Sequence, residues 1–185
     1  MLAGRFQIEQ SLAARVSREP LGHPFIGIGM PEIIEALTEE HVGVARALFQ
    51  EYADSIGIDL RFQGFEEELR DLPGRYAPPN GGLFVAFSGR DPVGCVALRP
   101  LEEKGIAELK RLFVRPSGRG MGLGHALAER AISRAREAHY SRIRLDTLST
   151  MQDAQRLYRR LGFKDIAPYT FNPIPDAVYM ELDLE

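Results

Sequence analysis

Between an apolar run that ends at Val114 and a helix-like run that starts at Leu123, the chain reads Val114-Arg115-Pro116-Ser117-Gly118-Arg119-Gly120-Met121-Gly122-Leu123-Gly124. Glycines at 118, 120, 122 and 124 carry no Cβ, so the backbone there can come close to a ligand. A turn that opens a helix also presents unpaired N–H groups and the positive end of the helix dipole. Those surroundings suit a phosphate group. The segment therefore predicts a strand, a ligand-facing turn and a helix in succession, and any fold for this chain must contain that unit.

Three nucleotide-binding patterns compete for such a turn. A P-loop requires G-x-x-x-x-G-K-[ST], and no Lys-Ser or Lys-Thr follows here. A dinucleotide fingerprint requires G-x-G-x-x-G; counted from Gly118 or Gly120, its last position holds Leu123 or His125. What remains is Arg119-x-x-Gly122-x-Gly124. Alone, that pattern fits a glycine-rich structural turn as well as a phosphate cradle.

Bulk properties narrow the ligand. The 185 residues suit one domain, and with 44% hydrophobic and 26% charged residues they can bury a real core. A net charge of −3 provides no basic field for nucleic acid, whereas a charged small molecule needs only local donors. One cysteine, Cys95, excludes an internal disulfide and a multi-thiolate zinc site; within Val93–Leu98 it reads as a buried strand residue. No metal site is expected. No stretch reaches the roughly 18–20 apolar residues of a membrane span, and Gln7, Glu9 and Gln10 interrupt any signal-like segment. A cytoplasmic location is the expectation.

Along the chain, residues 1–30 lack a sustained period and read as an extension, flexible or packed on a partner, with one short amphipathic stretch, Phe6–Val16. The folded domain is expected over 31–185. Ile33–Leu37 predicts a strand, and Thr38 caps a helix through Val42, Ala45, Leu48, Phe49 and Tyr52. Phe62–Leu72 predicts a second helix, closed by Pro73-Gly74. Leu83–Phe87 and Val93–Leu98 form a hairpin around Ser88–Pro92. Ile106–Val114 is a longer strand; after the glycine turn, Leu127, Ala128, Ala131, Ile132 and Ala135 recur at helical spacing. Arg142–Leu148 alternates as a strand. Ser149 and Gln152 predict a capping box for a helix through Ala154, Leu157, Tyr158 and Leu161, ended by Gly162. Phe163–Ile166 and Val178–Leu184 complete the sheet.

A second signature, Ala154-Gln155-Arg156-Leu157-Tyr158-Arg159-Arg160-Leu161-Gly162-Phe163, follows the glycine turn after one strand. Together the two segments resemble the GNAT superfamily of acyl-CoA-dependent N-acyltransferases, over roughly residues 33–184. The first is similar to that family's acyl-CoA pyrophosphate loop, the second to its helix with Leu-Tyr and a Gly-Phe ending. The resemblance implies an α/β fold with a mixed, mostly antiparallel twisted sheet flanked by helices and splayed at its middle for the cofactor. It implies acetyl-CoA as acyl donor and an amine, on a small molecule or a peptide, as acceptor.

By the same resemblance, the backbone of Arg119, Gly120, Gly122, Leu123 and Gly124 would hold the pyrophosphate, a nest that favours charge-assisted bonds. The Arg119 side chain could add a pairing. His125 either reaches a phosphate oxygen or faces solvent. Leu112, Phe113 and Val114 would lie beside the pantetheine arm, one of their N–H groups polarising the thioester carbonyl. Tyr158 would protonate the departing thiolate: a phenol titrates near about 10 and a thiol near about 8.5, so a neutral tyrosine can donate. The alternative is a tyrosine that anchors its helix. Glu108 stands where some family members carry a catalytic base; it would take a proton from the acceptor or anchor its cation, or else pair with Lys110 or Arg111. Where many relatives carry an asparagine that holds the pantetheine arm, this chain has Met151.

Acceptor-site candidates are Phe62, Gln63, Phe65, Arg75, Tyr76 and the segment Tyr169–Pro173, with Asp146 and Thr147 at a strand end. Glu108, Asp146 and Asp176 would make an acidic cleft suited to an amine. The expected mechanism is direct attack in a ternary complex, because Cys95 lies on a different strand from the cofactor arm. The alternatives are another acyl-CoA donor, a hydroxyl acceptor, or a non-catalytic acyl-CoA-binding module. Terminal segments and exposed sheet edges leave a homodimer open.

Overall fold

Strand alternation sorts the apolar side chains of the central strands onto two faces, and each face is covered by its own helices. In the computed structural model, which describes residues 31–185, Leu83 and Val85 point to one side of the sheet, Phe84 and Ala86 to the other. The expected extension 1–30 and its stretch Phe6–Val16 lie outside the described residues. The strands are β1 (Glu32–Glu35), β2 (Gly82–Ser88), β3 (Asp91–Pro100), β4 (Ile106–Val114), β5 (Arg142–Thr147), β6 (Lys164–Ile166) and β7 (Val178–Asp183). Helices α1 (Glu39–Ile56) and α2 (Phe65–Asp71) cover one face; α3 (Leu123–Glu137) and α4 (Gln152–Arg160) cover the other.

These seven strands form one sheet in the order β1-β2-β3-β4-β5-β7-β6. Every neighbouring pair is antiparallel except β4 with β5. This is the mixed, mostly antiparallel sheet flanked by helices that the resemblance implied. The parallel pairing is short: Ile106, Ala107 and Glu108 meet Arg142, Ile143 and Arg144, and pairing stops there. From Leu109 to Val114 the β5-facing edge of β4 has no strand partner. The sheet is open at that point.

On its other edge β4 carries a bulge. Cys95 pairs with Phe113 and Ala97 with Lys110, so two residues of β4, Arg111 and Leu112, stand opposite the single Val96. Arg111 has φ +57°, in the left-handed region where a side chain is disfavoured.

Local chemistry explains where the elements depart from expectation. Thr38 does cap α1, its Oγ1 accepting from the N–H of His41 at 3.2 Å. The preceding strand stops at Glu35, and Leu37 is 65% exposed. The helix expected over Phe62–Leu72 is broken. A 3-10 turn, Leu60–Gln63, ends at Gly64 with φ +70°, and α2 starts afterwards. Ser149 does not cap α4. Gln152 is the first helical residue rather than the third, and the Gln155 side chain instead donates to the carbonyls of Leu148 and Ser149, at 2.8 and 3.2 Å. Gly162, φ +96°, follows the last turn of α4 as expected.

Candidate active site

The glycine turn folds as a connection from the end of β4 into α3. Gly120 and Gly122 have φ +78° and +74°, values that explain glycine at both positions. Gly122 is the N-cap of α3 and offers no side-chain cap, so the first-turn N–H groups face the solvent side of the turn uncapped. This turn and the last residues of β4 form one wall of a groove of about 600 Å³; Thr150–Ala154, leading into α4, form the other. Leu112, Phe113, Val114, Arg119, Gly120, Gly122, Leu123 and Gly124 all line it. The backbone N–H of Arg119 is already engaged with the Pro116 carbonyl at 3.3 Å, and its Nε with the Val114 carbonyl at 3.3 Å. His125 turns its Nδ1 to Glu129, 3.3 Å away on the surface of α3.

The groove leads inward. Tyr52, Ile56, Leu112, Met151 and Ala154 line both it and a smaller cavity of about 60 Å³ in the opening between β4 and β5. Lys110, Arg111, Asp146, Thr147, Tyr158 and Asn172 give this inner cavity its polar wall. Tyr158 is 6% exposed and packs its ring 5.7 Å from that of Phe163. Burial, with the nearby Tyr52 and Asp146, pushes its phenol well above the ordinary value.

Beneath the cavity runs a buried ionic network. Arg99 donates from Nε to Glu108 Oε2 at 2.7 Å, and Tyr169 donates its hydroxyl to Oε1 at 2.9 Å. Lys110 donates from Nζ to Asp146 Oδ1 at 2.9 Å and stands 3.9 Å from Glu108; Asn172 donates to Asp146 Oδ2 at 3.0 Å. Arg111 makes a two-pronged pair with Glu68 and a bond to Gln63. Burial pushes the Asp146 carboxyl up, but the charge and hydrogen bond of Lys110, with that of Asn172, hold it below the usual range. The acidic cleft expected from Glu108, Asp146 and Asp176 does not form: Glu108 and Asp146 are each paired with cations, so the wall is charge-balanced.

Residues 45–163, more than half of the chain, match the acetyltransferase (GNAT) family. The chain belongs to the GNAT acetyltransferase family. It is 43% identical to an uncharacterized N-acetyltransferase of Schizosaccharomyces pombe, over 75% of this chain and 86% of that one. With an uncharacterized N-acetyltransferase of Dictyostelium discoideum it shares 31% identity, over 83% of this chain and 99% of the other. Among solved structures, an acetyltransferase from Streptococcus agalactiae superposes with a TM-score of 0.69 at 25% identity, over 84% of this chain and 99% of that chain.

Within this GNAT domain the two sequence signatures come together as the two walls of one groove, and Tyr158 lines the inner cavity that shares five residues with it. Glu108 is different: 2% exposed, with both oxygens occupied, it lies behind Lys110 rather than on the cavity wall. Of the acceptor candidates, Gln63, Asp146, Thr147 and Asn172 do line the cavity. Phe65 and Tyr76 are core residues, Arg75 binds the Pro100 carbonyl, and Phe171 is 80% exposed. Sequence reasoning singled out neither Lys110 nor Arg111 as site residues. Their signal was two adjacent cations in a strand whose only other charged residue is Glu108, which only a bulge can turn to the same face. Among the described residues, no group of three or more His, Cys, Asp or Glu side chains could hold a metal ion, and no helix is long and apolar enough to cross a membrane.

Proposed function

We propose that this GNAT enzyme transfers an acetyl group from acetyl-CoA to a primary amine by direct attack within a ternary complex. The observation that carries the reading is the groove at the uncapped N-terminus of α3, which shares five lining residues with the inner cavity that Tyr158 lines. The pyrophosphate would lie on the N–H groups of Gly120, Gly122, Leu123 and Gly124, with the Arg119 side chain beside it. The pantetheine arm would run along the unpaired edge of Leu112, Phe113 and Val114 as an added strand. One N–H of that edge would hold the thioester oxygen as it gains charge. An inner cavity of about 60 Å³ suits a two-carbon acyl group better than a longer one.

In the reaction, the amine nitrogen bonds to the thioester carbon, the C–S bond breaks, the thiolate takes the phenolic proton of Tyr158, and the N–H proton released as the amide forms restores the phenol. Its raised pKa keeps Tyr158 protonated at neutral pH. Before attack the acceptor ammonium must lose a proton. Asp146 lies on the cavity wall and stays ionised; Lys110 and Asn172 each take one lone pair of its oxygens, and the remaining ones would receive the acceptor's N–H, while the proton leaves to solvent; Glu108 holds Lys110, and through it Asp146, in place.

The first experiment is thermal unfolding of the full chain with acetyl-CoA, NADH or ATP. A ligand at a hundred times its Kd adds about 2.7 kcal/mol of stability. Stabilisation by acetyl-CoA alone supports the reading, and a screen of amines and acyl donors by CoA release then identifies the acceptor and acyl preference. No stabilisation by acetyl-CoA rejects it.

A further inference from the structure

Arg111 is 5% exposed, on the strand that flanks the inner cavity, yet its charge is turned away from the cofactor groove into a cage. Its Nε and Nη2 donate to the two oxygens of Glu68 on α2, at 3.0 and 2.6 Å. Nη1 donates to Gln63 Oε1 at 3.0 Å. The guanidinium carbon stands 5.0 Å from the ring centre of Phe65 and 5.9 Å from that of Tyr52. Glu68 is fixed in turn by the Tyr76 hydroxyl at 2.7 Å. At the backbone end, the Cys95 thiol donates to the Arg111 carbonyl at 3.4 Å.

This cage surrounds the one residue of β4 with positive φ, the added residue of the bulge. A non-glycine residue in that region is disfavoured and persists only where surrounding contacts over-determine it. The bulge has a definite consequence. Because strand N–H groups alternate in direction with a period of two, one added residue reverses which of the N–H groups beyond it face the opening toward β5. Leu112, Phe113 and Val114 follow immediately.

We infer that Arg111 is a positioning residue: gripped by Glu68, Gln63 and Cys95, it holds the β4 bulge in the register that aims the following backbone N–H groups at the acyl donor. This rests on the proposed use of that edge for acetyl-CoA. Glu68 and Gln63 belong to the segment before and within α2, and Gln63 also lines the inner cavity, so the elements that shape the acceptor side set the geometry of the donor side. The side chain of Arg111 touches no reacting atom in this assignment.

The test uses the full chain, acetyl-CoA labelled with ¹³C at the thioester carbonyl, and adenosine 3′,5′-bisphosphate as a probe of the phosphate end alone. Infrared difference spectra report hydrogen bonding to the carbonyl as a shift of its band to lower wavenumber. Wild type should show that shift. Glu68→Gln and Arg111→Lys should lose most of it and weaken acetyl-CoA binding on the order of tenfold, the size expected when a preorganised donor is misaligned. Binding of the adenosine bisphosphate should stay unchanged, which a general loss of structure would not allow. If neither variant folds, Gln63→Leu, which keeps the ion pair but removes one bond to Arg111, should show a partial loss of the shift. Variants that bind acetyl-CoA with the wild-type band overturn the assignment. A wild-type protein that binds no acetyl-CoA overturns the proposed function instead.

Discussion

The hydroxyl of Tyr169 donates to Oε1 of Glu108 at 2.9 Å, tying the connection between β6 and β7 to the centre of β4. Burial, reinforced by the charge of Glu108, pushes the Tyr169 phenol far above its ordinary value, so this group is a donor throughout the working pH range. The Tyr169 ring also stands 5.5 Å from the guanidinium of Arg144 and 5.7 Å from the ring of Tyr179.

Replacing Tyr169 with phenylalanine keeps the ring contacts and removes one bond to a carboxylate that is 2% exposed. Leaving that oxygen short of a partner should cost about 1–3 kcal/mol. Thermal unfolding should show a drop of several degrees, and an unchanged midpoint would mean that water or Lys110 takes over the bond.

Acid should loosen the network. Glu68 is pushed up by burial but brought net below its usual value by the hydrogen bonds and charge of Arg111; Asp146 is likewise net lowered. Depressed carboxyls contribute stability that is complete above the unfolded value, about 4. It is lost as pH falls through the lower folded values, because there the unfolded chain binds more protons. Urea midpoints should therefore fall steeply below about pH 4, and Glu68→Gln or Asp146→Asn should flatten that slope while lowering stability at neutral pH.

Tyr158→Phe removes the proposed donor to the leaving thiolate without altering its packing on Phe163. The expected result is a fall in kcat within the range of about 10²–10⁴-fold given by lost acid catalysis, with KM for acetyl-CoA nearly constant. Equal turnover by the variant would assign the proton to water and leave Tyr158 as a packing residue.

Asp146→Asn and Glu108→Gln separate the two carboxylates once an amine acceptor is in hand. Asp146→Asn should raise KM for the acceptor by about tenfold, the loss of one charge-assisted contact, and Glu108→Gln should act more weakly and on stability. The reverse ranking would restore Glu108 as the group that meets the acceptor.

Gly122→Ala tests the turn. A Cβ there meets nothing within 4 Å, so the cost comes from φ +74° rather than from crowding, about 1–2 kcal/mol. Relief of that strain by backbone rotation would misdirect the first N–H groups of α3. Acetyl-CoA affinity should fall more than stability does.

Much of this was legible because it is local. The glycine turn, the Thr38 cap, the hairpin and the Leu157-Tyr158 helix each carry their signal within a few residues. Glycines at 120 and 122 marked the turn through their missing Cβ; that both also have positive φ is seen only in the fold. What escaped depended on distant partners. For Glu108 the sequence left base, substrate anchor and ion-pair partner open, because nothing nearby in sequence shows Arg99 on β3 or Tyr169 on a far loop. The bulge at Arg111 was invisible since the run Ile106–Val114 reads as continuous strand, and the partners of Arg111 lie on α2 and β3. The break at Gly64 was written in the sequence; the apolar pattern on both sides of it outweighed a single glycine.

Only three residue pairs join β4 to β5 before the strands part. One side of the molecule, β1 through β4 with α1 and α2, thus meets the other, β5 through β7 with α4, across a short seam, bridged by α3 and by ion pairs such as Lys110 with Asp146. A cofactor arm laid into that gap would act as mortar between two leaves. Amide protons along the gap should then exchange with solvent more slowly once it is filled, and product release would amount to reopening the seam.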